Sequence, residues 1–517
     1  MLDKSIDPAH VESAASDNHD CESKSAAVAA ANQQEHGLAL ADIFRDHKAI
    51  VWWCFFWAMA AVGWGFDAQI NGAMISIASF RRDFGYVLDD GEAILPASWQ
   101  TAFNTISTVG QFFGGFACSW LADRVGRKGA LLAGIVICTG GCIGEMLSAV
   151  PGAFLVSKLI LGIGLGFYLT IAPLACSELA PLALRGSATA GINLGIAIGQ
   201  LLSNAVVRGF GEREDRWAYR GPFAIQLFFG AFLLFGLPFS PESPWYLARR
   251  GMRERAATSL RTLYGRHYDV DKGLAVLDAT IREEAMSENS EKSFLDCFRG
   301  TDRLRTGIST GVFLCQHMVG IVFVLGYSTY FFQLAGLDPS KSFDLGVGVT
   351  ACGVFGNIVS WLVVERYGRR SIFLAGMGTL TALLLLVGIM DVVPTSAAKW
   401  VQAATTVIWA FVYFLTIGAM AFAILGEASS TVLRAKTISL ATATQAVCGI
   451  VMNFAIPYMV NPDEGNLKGK VGFIFGALAL VATIGSYFYV PELKGKTFEE
   501  IDRLFDSRVP PRKMGDM

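Results

Sequence analysis

Charged residues are scarce in this chain: Asp, Glu, Lys and Arg make up 17% of its 517 residues, whereas hydrophobic residues make up 53%. The mean hydropathy is +0.45. A soluble protein of this length rarely combines these values, whereas a polytopic membrane protein commonly does. The formal net charge of -2 gives no sign of a nucleic-acid partner. The composition therefore indicates a membrane protein and argues against a soluble enzyme.

Several functional motifs are missing as well. The chain has no Cys-x-x-Cys pair and no Cys/His spacing typical of a metal site, and most of its ten cysteines fall in apolar stretches. Free cysteines there behave as small hydrophobic side chains. No GxxxxGK[ST] motif is present, which argues against an ATP-driven pump. We therefore expect no cofactor and no metal.

No signal peptide is recognisable at the start of the sequence. Residues 1–47 are polar, acidic and rich in Ala and Ser, and the first apolar run begins only near Ile50. A signal peptide would place a shorter apolar run closer to the first residue. We expect residues 1–47 to form a mostly disordered cytoplasmic tail.

A window of about 19 residues identifies roughly twelve membrane spans. They lie near 50–79, 98–121, 130–150, 153–176, 187–207, 222–240, 306–332, 343–363, 371–392, 400–425, 437–460 and 471–490. The predicted fold class is an all-α polytopic membrane protein. Its expected parts are a first six-helix bundle at 48–244, a charged cytoplasmic linker with short helices at 245–305, a second bundle at 306–490 and a cytoplasmic tail at 491–517.

Three motifs recur in the same order. They are "DRVGRK" at 123 and "ERYGRR" at 365, "ELAPLALRG" at 178 and "EASSTVLRA" at 427, and "PESP" at 241 and "PELKGKT" at 491. Such a repeat indicates two pseudo-symmetric six-helix halves with a substrate site between them. The basic residues of these motifs lie on one side if both termini are cytoplasmic, although loop 208–220, with four arginines, fits this orientation badly.

The repeated charges predict a gate. We expect an ion-pair network that holds helix ends together in one state and separates in the other. Its candidate residues are Asp123, Arg127, Glu178, Arg185, Glu242, Glu365, Arg369, Glu427, Arg434 and Glu492. The alternative is a solvated positive-inside face, but repetition in both halves favours the network.

From about residue 45 to 512 the chain resembles the sugar porter family of the major facilitator superfamily. The resemblance is carried by "GFDAQINGA", "LADRVGRKG", "LGIGLGFYLTIAPLACSELAPLALRG", "PESPWYL" and "PELKGKTFEEIDRLF". A narrower likeness, to fungal maltose and other α-glucoside proton symporters, is carried by "EDRWAYRGPFAIQ", "LGYSTYFFQLAG" and "LFDSRVPPRK". The resemblance implies a monomeric plasma-membrane protein that imports a sugar with a proton by alternating access.

Asp67 lies inside the first predicted span, where a carboxylate is costly and marks a functional candidate. The resemblance makes Asp67 the proton-binding acid, and Lys158 stands where the family usually has Arg. Helix rise places both residues in the outer half of the membrane, so we expect a pair that breaks when Asp67 is protonated. The alternative is a permanently protonated Asp67 beside an outward-reaching Lys158. Glu145 and Asp391, near outer span ends, are expected to reach the interface.

Sugar recognition needs amides, which both donate and accept, and aromatic faces. By family position the candidates are Asn193, Gln200, Gln316, His317, Tyr327, Phe422 and Gln445. His317 replaces a Gln of hexose carriers; it could contact substrate, join the proton route or simply bond a neighbouring helix. The leading prediction is an α-glucoside importer such as a maltose carrier. A carrier of a hexose, a polyol or a non-sugar metabolite, and a non-transporting nutrient sensor, stay open as alternatives.

Overall fold

The computed structural model describes residues 48–516 apart from 88–90, 92, 181, 266–267, 289–292, 431–432, 495 and 497. The predicted tail at 1–47 lies outside the described residues. The first half contains α1 (Lys48–Met74), α2 (Ala78–Phe84), α3 (Ala97–Val125), α4 (Arg127–Leu147), α5 (Pro151–Leu179), α6 (Leu182–Phe210) and α7 (Trp217–Gly236). A small antiparallel hairpin, β1 (Tyr86–Val87) and β2 (Ala93–Ile94), follows α2.

The segment between the halves is helical. It contains α8 (Pro244–Arg249), α9 (Arg253–Tyr264), α10 (Val270–Glu288) and a 3₁₀ turn at Phe294–Phe298. The second half contains α11 (Asp302–Met318), a π-helical turn at Val322–Gly326, α12 (Tyr327–Leu334), α13 (Pro339–Tyr367), α14 (Arg369–Val392), α15 (Ser396–Leu415), α16 (Ile417–Ala428), α17 (Arg434–Val460), a 3₁₀ turn at Lys468–Lys470 and α18 (Val471–Tyr489). After α18 come α19 (Phe498–Asp506) and a 3₁₀ turn at Pro511–Asp516.

The described helices account for all twelve predicted spans. Nine spans are long and apolar enough to cross a membrane, and one of these nine is formed by α15 and α16 together. A tenth span is α11 joined to the stretch Val322–Leu334 with a bend of 44°. The remaining two, α3 and α6, have 29 residues each, which exceeds the length that a bilayer requires. The expected fold class, an all-α polytopic protein with two six-helix halves, is therefore confirmed.

The repeated turns at Gly126 and Gly368 lie on one side of the molecule, which we call the charged-turn side. On the opposite side, polar side chains join the two halves. Gln69 donates to the Leu325 carbonyl over 2.8 Å, and Asn104 donates to the Tyr327 hydroxyl over 2.6 Å. These bonds connect α1 and α3 with the bent second-half helix, so the halves are closed against each other on this side.

Asn461, just after α17, is a second centre of this closure. Its side-chain oxygen accepts from Gln100 and from Tyr330, each over 2.9 Å, and its amide donates to the Leu95 carbonyl over 3.1 Å. Asn204 on α6 adds a bond of 2.8 Å to the Gly346 carbonyl on α13. Buried polar groups need such partners, and Gln100, Leu95 and Gly346 each belong to the other half of the chain from the asparagine that they contact.

Candidate functional site

A buried cluster of three ionisable side chains lies inside the first half. Lys158 on α5 is within 3.5 Å of an Asp67 oxygen on α1 and within 3.0 Å of a Glu145 oxygen on α4. The exposed fractions of Asp67 and Glu145 are 0%, and that of Lys158 is 2%. The pairing of Asp67 with Lys158 is the one that the sequence predicts. We call Asp67, Glu145 and Lys158 the ion cluster.

Two amides support Asp67 in this position. Asn71, one helical turn further along α1, donates to Asp67 over 3.4 Å and accepts from Lys158. Gln226 on α7 donates to Asp67 over 3.2 Å. Residues four apart share a helix face, so α1 presents Asp67 and Asn71 together to α5. Sequence reasoning missed both amides, although the four-residue spacing of Asn71 from Asp67 was a usable signal.

The expectation that Glu145 reaches the membrane interface is wrong. The helical hairpin between α4 and α5 is short, because α5 begins at Pro151 only a few residues after α4 ends at Leu147. This tight return aligns the last turn of α4 with the start of α5 and points Glu145 at Lys158. Glu145 is thus the third member of the ion cluster. Asp391, expected at an interface in the same way, is partly exposed and accepts from the Gly469 amide over 3.0 Å.

Two small cavities adjoin the ion cluster. One is lined by Cys138, Cys142, Tyr168 and Gln226, among others, and the second by Asn71, Gln100, Asn104 and Lys158. Each cavity has a volume of about 10 Å³. That is about the space of one water molecule. The second cavity also lies against the closure between the halves, since Asn104 belongs to both.

The predicted sugar-binding residues fall in several places. Gln316 and His317 are buried at the end of α11, whereas Asn193 and Gln200 on α6 and Gln445 on α17 are partly buried. Tyr327 is buried in the closure, where its hydroxyl accepts from Asn104. The contacts of the described residues do not link Asn193 or Gln200 with the aromatic group formed by Phe313, His317 and Phe422.

That aromatic group is centred on Phe313. His317 Nδ1 lies 3.1 Å from the Phe313 carbonyl oxygen, and the Phe422 ring meets the Phe313 ring edge to face at 5.2 Å. Phe422 keeps 54% of its surface exposed. A Cβ placed on Gly449 would lie 3.7 Å from His317 Nε2, so His317 faces α17 one turn from Gln445. His317 and Phe422 therefore provide one polar and one aromatic surface close together.

The charged turn of the first half forms an ion-pair network. Two nitrogens of Arg127 contact the two carboxylate oxygens of Glu178, at 2.8 and 2.6 Å. Glu242 accepts from the backbone amides of Arg127 and Lys128 at 3.0 and 3.2 Å, so it caps the start of α4, where negative charge is favoured. Asp123, 3.8 Å from Arg127, is mostly exposed.

The second half repeats this arrangement. Arg369 contacts one oxygen of Glu427 through two nitrogens, at 3.0 and 2.8 Å. Glu492 accepts from the backbone amides of Arg369 and Arg370 at 2.9 and 3.1 Å. Both turns need glycine, because Gly126 and Gly368 have φ of 93° and 78°. The side chains of three further predicted gating residues lie outside the described part of the chain: Arg185, Glu365 and Arg434.

The fold and its two equivalent charged turns define a membrane transporter with the major facilitator architecture. Residues 53–505 match the family described as "Sugar (and other) transporter", and the chain belongs to this family. It is 28% identical to the general alpha-glucoside permease of Saccharomyces cerevisiae, covering 93% of this chain and 79% of that protein. It is 29% identical to the alpha-glucosides permease MPH3 of the same species, covering 93% and 82%. The inward-open structure of the xylose transporter XylE from E. coli has a TM-score of 0.71 at 21% identity, covering 88% of this chain and 99% of XylE.

Proposed function

We propose that the chain imports a sugar together with a proton, and that the sugar is an α-glucoside such as maltose. The names of the yeast relatives support the substrate class. The ion cluster carries the proposal of proton coupling. Burying a carboxyl and an ammonium together in a dry interior is costly, and ionisable residues inside a membrane therefore mark functional sites. The protein would act as a monomer in the plasma membrane with both termini cytoplasmic.

Asp67 is the proposed proton site. Its carboxylate is the α1 partner of the Lys158 ammonium on α5. A proton on Asp67 removes the charge attraction and weakens the contact between these helices. Since α1 also carries Gln69, which bonds Leu325 in the other half, the protonation state of Asp67 biases the closure on the opposite side. This is the differential effect on two conformations that coupled transport requires.

The opposite side, closed here, would face outward in this orientation, and the charged-turn side would face the cytoplasm. The networks of Arg127 and Arg369 are intact within their own halves. We assign them the role of keeping each half rigid at its cytoplasmic end while the halves rock. The sugar would bind between the halves, at the group of His317 and Phe422 with Gln316, Gln445, Asn193 and Gln200.

The test is uptake of labelled maltose by transport-deficient yeast cells that express the chain, with the external pH recorded at the same time. We expect accumulation against a gradient, accompanied by alkalinisation and abolished by a protonophore. Asp67→Asn should abolish accumulation and proton movement. Asp391→Asn, which neutralises an acid far from the ion cluster, is the matched control and should transport normally.

Glucose, a polyol and a panel of non-sugar metabolites run beside maltose. Proton-coupled uptake of one of these in place of maltose would overturn the α-glucoside assignment and keep the coupling. Well-expressed protein that moves none of them would favour a nutrient sensor. Undiminished accumulation by Asp67→Asn would refute the role of Asp67.

A further inference from the structure

Glu145 has no part in the mechanism described so far, yet it is the closer of the two carboxylates to Lys158. One of its oxygens lies 3.0 Å from the ammonium nitrogen, compared with 3.5 Å for Asp67. Its second oxygen is buried and has no hydrogen-bond partner among the described residues. Burying a carboxylate with so few hydrogen-bond partners is costly. The position of Glu145 beside Lys158 therefore indicates a role for its charge.

The net charge of the ion cluster in each protonation state shows what that role would be. With all three members ionised, the ion cluster would hold two negative charges and one positive charge in a dry interior. With Asp67 protonated and Glu145 missing, it would hold one unpaired ammonium, which is more costly than a buried pair. With Glu145 present, protonation of Asp67 leaves a neutral pair of Glu145 and Lys158. The cluster therefore always contains a counter-ion for Lys158.

We propose that Glu145 is the alternative counter-ion of Lys158, which keeps the ammonium paired while Asp67 carries the proton. This inference rests on the proposed coupling through Asp67. The proton adds to an Asp67 oxygen, and only the ionic contact between α1 and α5 is lost. Lys158 then keeps its contacts with Glu145 on α4 and with Asn71 on α1, while the charge attraction that holds α1 against α5 is lost.

Other titratable side chains also face the ion cluster from the helices packed around it. Cys138 and Cys142 on α4 and Tyr168 on α5 line the adjoining cavity. Thiols and phenols are neutral at the pH of uptake measurements, between about 5 and 7.5. The amides of Asn71 and Gln226 do not titrate. Asp67, Glu145 and Lys158 are therefore the groups that set the charge of this site.

The first test measures thermal unfolding of the purified full-length chain in detergent, and it does not depend on transport. Asp67→Asn and Glu145→Gln should each lower the Tm modestly, because each leaves Lys158 one carboxylate. The double variant should lose clearly more than the sum of the two, since Lys158 is then unpaired. Adding Lys158→Met to the double variant should recover most of this loss. Additive losses, or no recovery with Lys158→Met, would overturn the inference.

The second test is the pH profile of uptake. Removing the charge of Glu145 leaves Lys158 to Asp67 alone and removes the repulsion between the two carboxylates, so a proton binds Asp67 less readily. Glu145→Gln should move the pH of half-maximal uptake down by about one unit, and Glu145→Asp should restore part of the shift. Asp391→Asn, at the corresponding end of α14, is the control. A Glu145→Gln profile that superimposes on a pH-dependent wild-type profile would refute the inference.

The two tests separate the inference from the function on which it rests. Wild-type uptake without any dependence on pH would overturn the proposed coupling. The unfolding experiment would then still decide whether Glu145 pairs with Lys158 when Asp67 is neutral.

Discussion

The contact between Gly72 on α1 and Gly326 in the π-helical turn allows a sharp prediction about the closure. A methyl group on Gly72 would overlap the Gly326 carbonyl oxygen and lie 2.5 Å from its carbon. Non-bonded carbons normally approach to 3.5–4.0 Å. Backbone atoms cannot rotate away as a side chain can, so Gly72→Ala must separate the two segments by at least about 1 Å.

That separation has a second cost. Gln69 lies one turn before Gly72, and its bond to the Leu325 carbonyl is 2.8 Å long. A shift of about 1 Å would stretch it beyond hydrogen-bonding distance. Overpacking costs about 1–3 kcal/mol, and a buried group left without its partner costs about 1–3 kcal/mol more. We expect Gly72→Ala to disfavour the closed opposite side by about 2 kcal/mol or more, roughly a thirtyfold shift in the equilibrium.

The shift can be measured as labelling of a cysteine placed behind the closure. Met74→Cys is buried beside this contact, so a membrane-impermeant maleimide should label it at least tenfold faster with Gly72→Ala than without. Uptake should fall by a similar factor. Gly348→Ala is the control, because a Cβ on Gly348 meets nothing within 4 Å. Normal uptake and slow labelling with Gly72→Ala would refute the reasoning.

Two further predictions concern the charged turns and the hairpin. Arg127→Lys removes the two-oxygen contact with Glu178 and should cost about 2 kcal/mol in thermal unfolding. Arg369→Lys should cost less, because Arg369 is more exposed and uses one oxygen of its partner; equal losses would contradict this. Tyr86→Phe should lower the Tm slightly and by the same amount from pH 6 to 9. The hydrogen bond to Asp463 raises the pKa of Tyr86, so the stabilisation is complete below about pH 10 and is lost only above it. A Tm difference that disappears within this range would count against that bond.

A hydropathy window was sufficient to predict the spans, because a helix in lipid must satisfy its backbone internally and stay apolar for about 20 residues. The pairing of Asp67 with Lys158 was predicted from the family resemblance, and the depth of each residue along its helix agreed with it. Depth depends only on distance along one helix, which the chain itself determines, whereas depth alone does not decide which residues face each other.

The place of Glu145 could not be obtained in that way. An acid two residues before the end of a helix is typical of the interface, and in this chain the short return into α5 places it in the interior instead. The asparagines that join the two halves could not be predicted from the sequence, for a related reason. No spacing in the sequence marks Asn104, Asn204 and Asn461, and each forms a hydrogen bond with a residue of the other half more than 100 positions away. Contacts of this kind depend on how the two halves meet, and helix periodicity contains no information about that.

One and a half turns of α1 connect the ion cluster with the closure. Asp67 and Asn71, four residues apart, face α5 and contact Lys158. Gln69 and Gly72, three residues apart, face the second half and contact Leu325 and Gly326. Because both pairs share one helical segment, a displacement of Asp67 and Asn71 relative to Lys158 also displaces Gln69 and Gly72, which contact the second half. A change of charge at Asp67 therefore needs no longer path to reach the closure, and substitutions on either face of this segment should alter the response at the other.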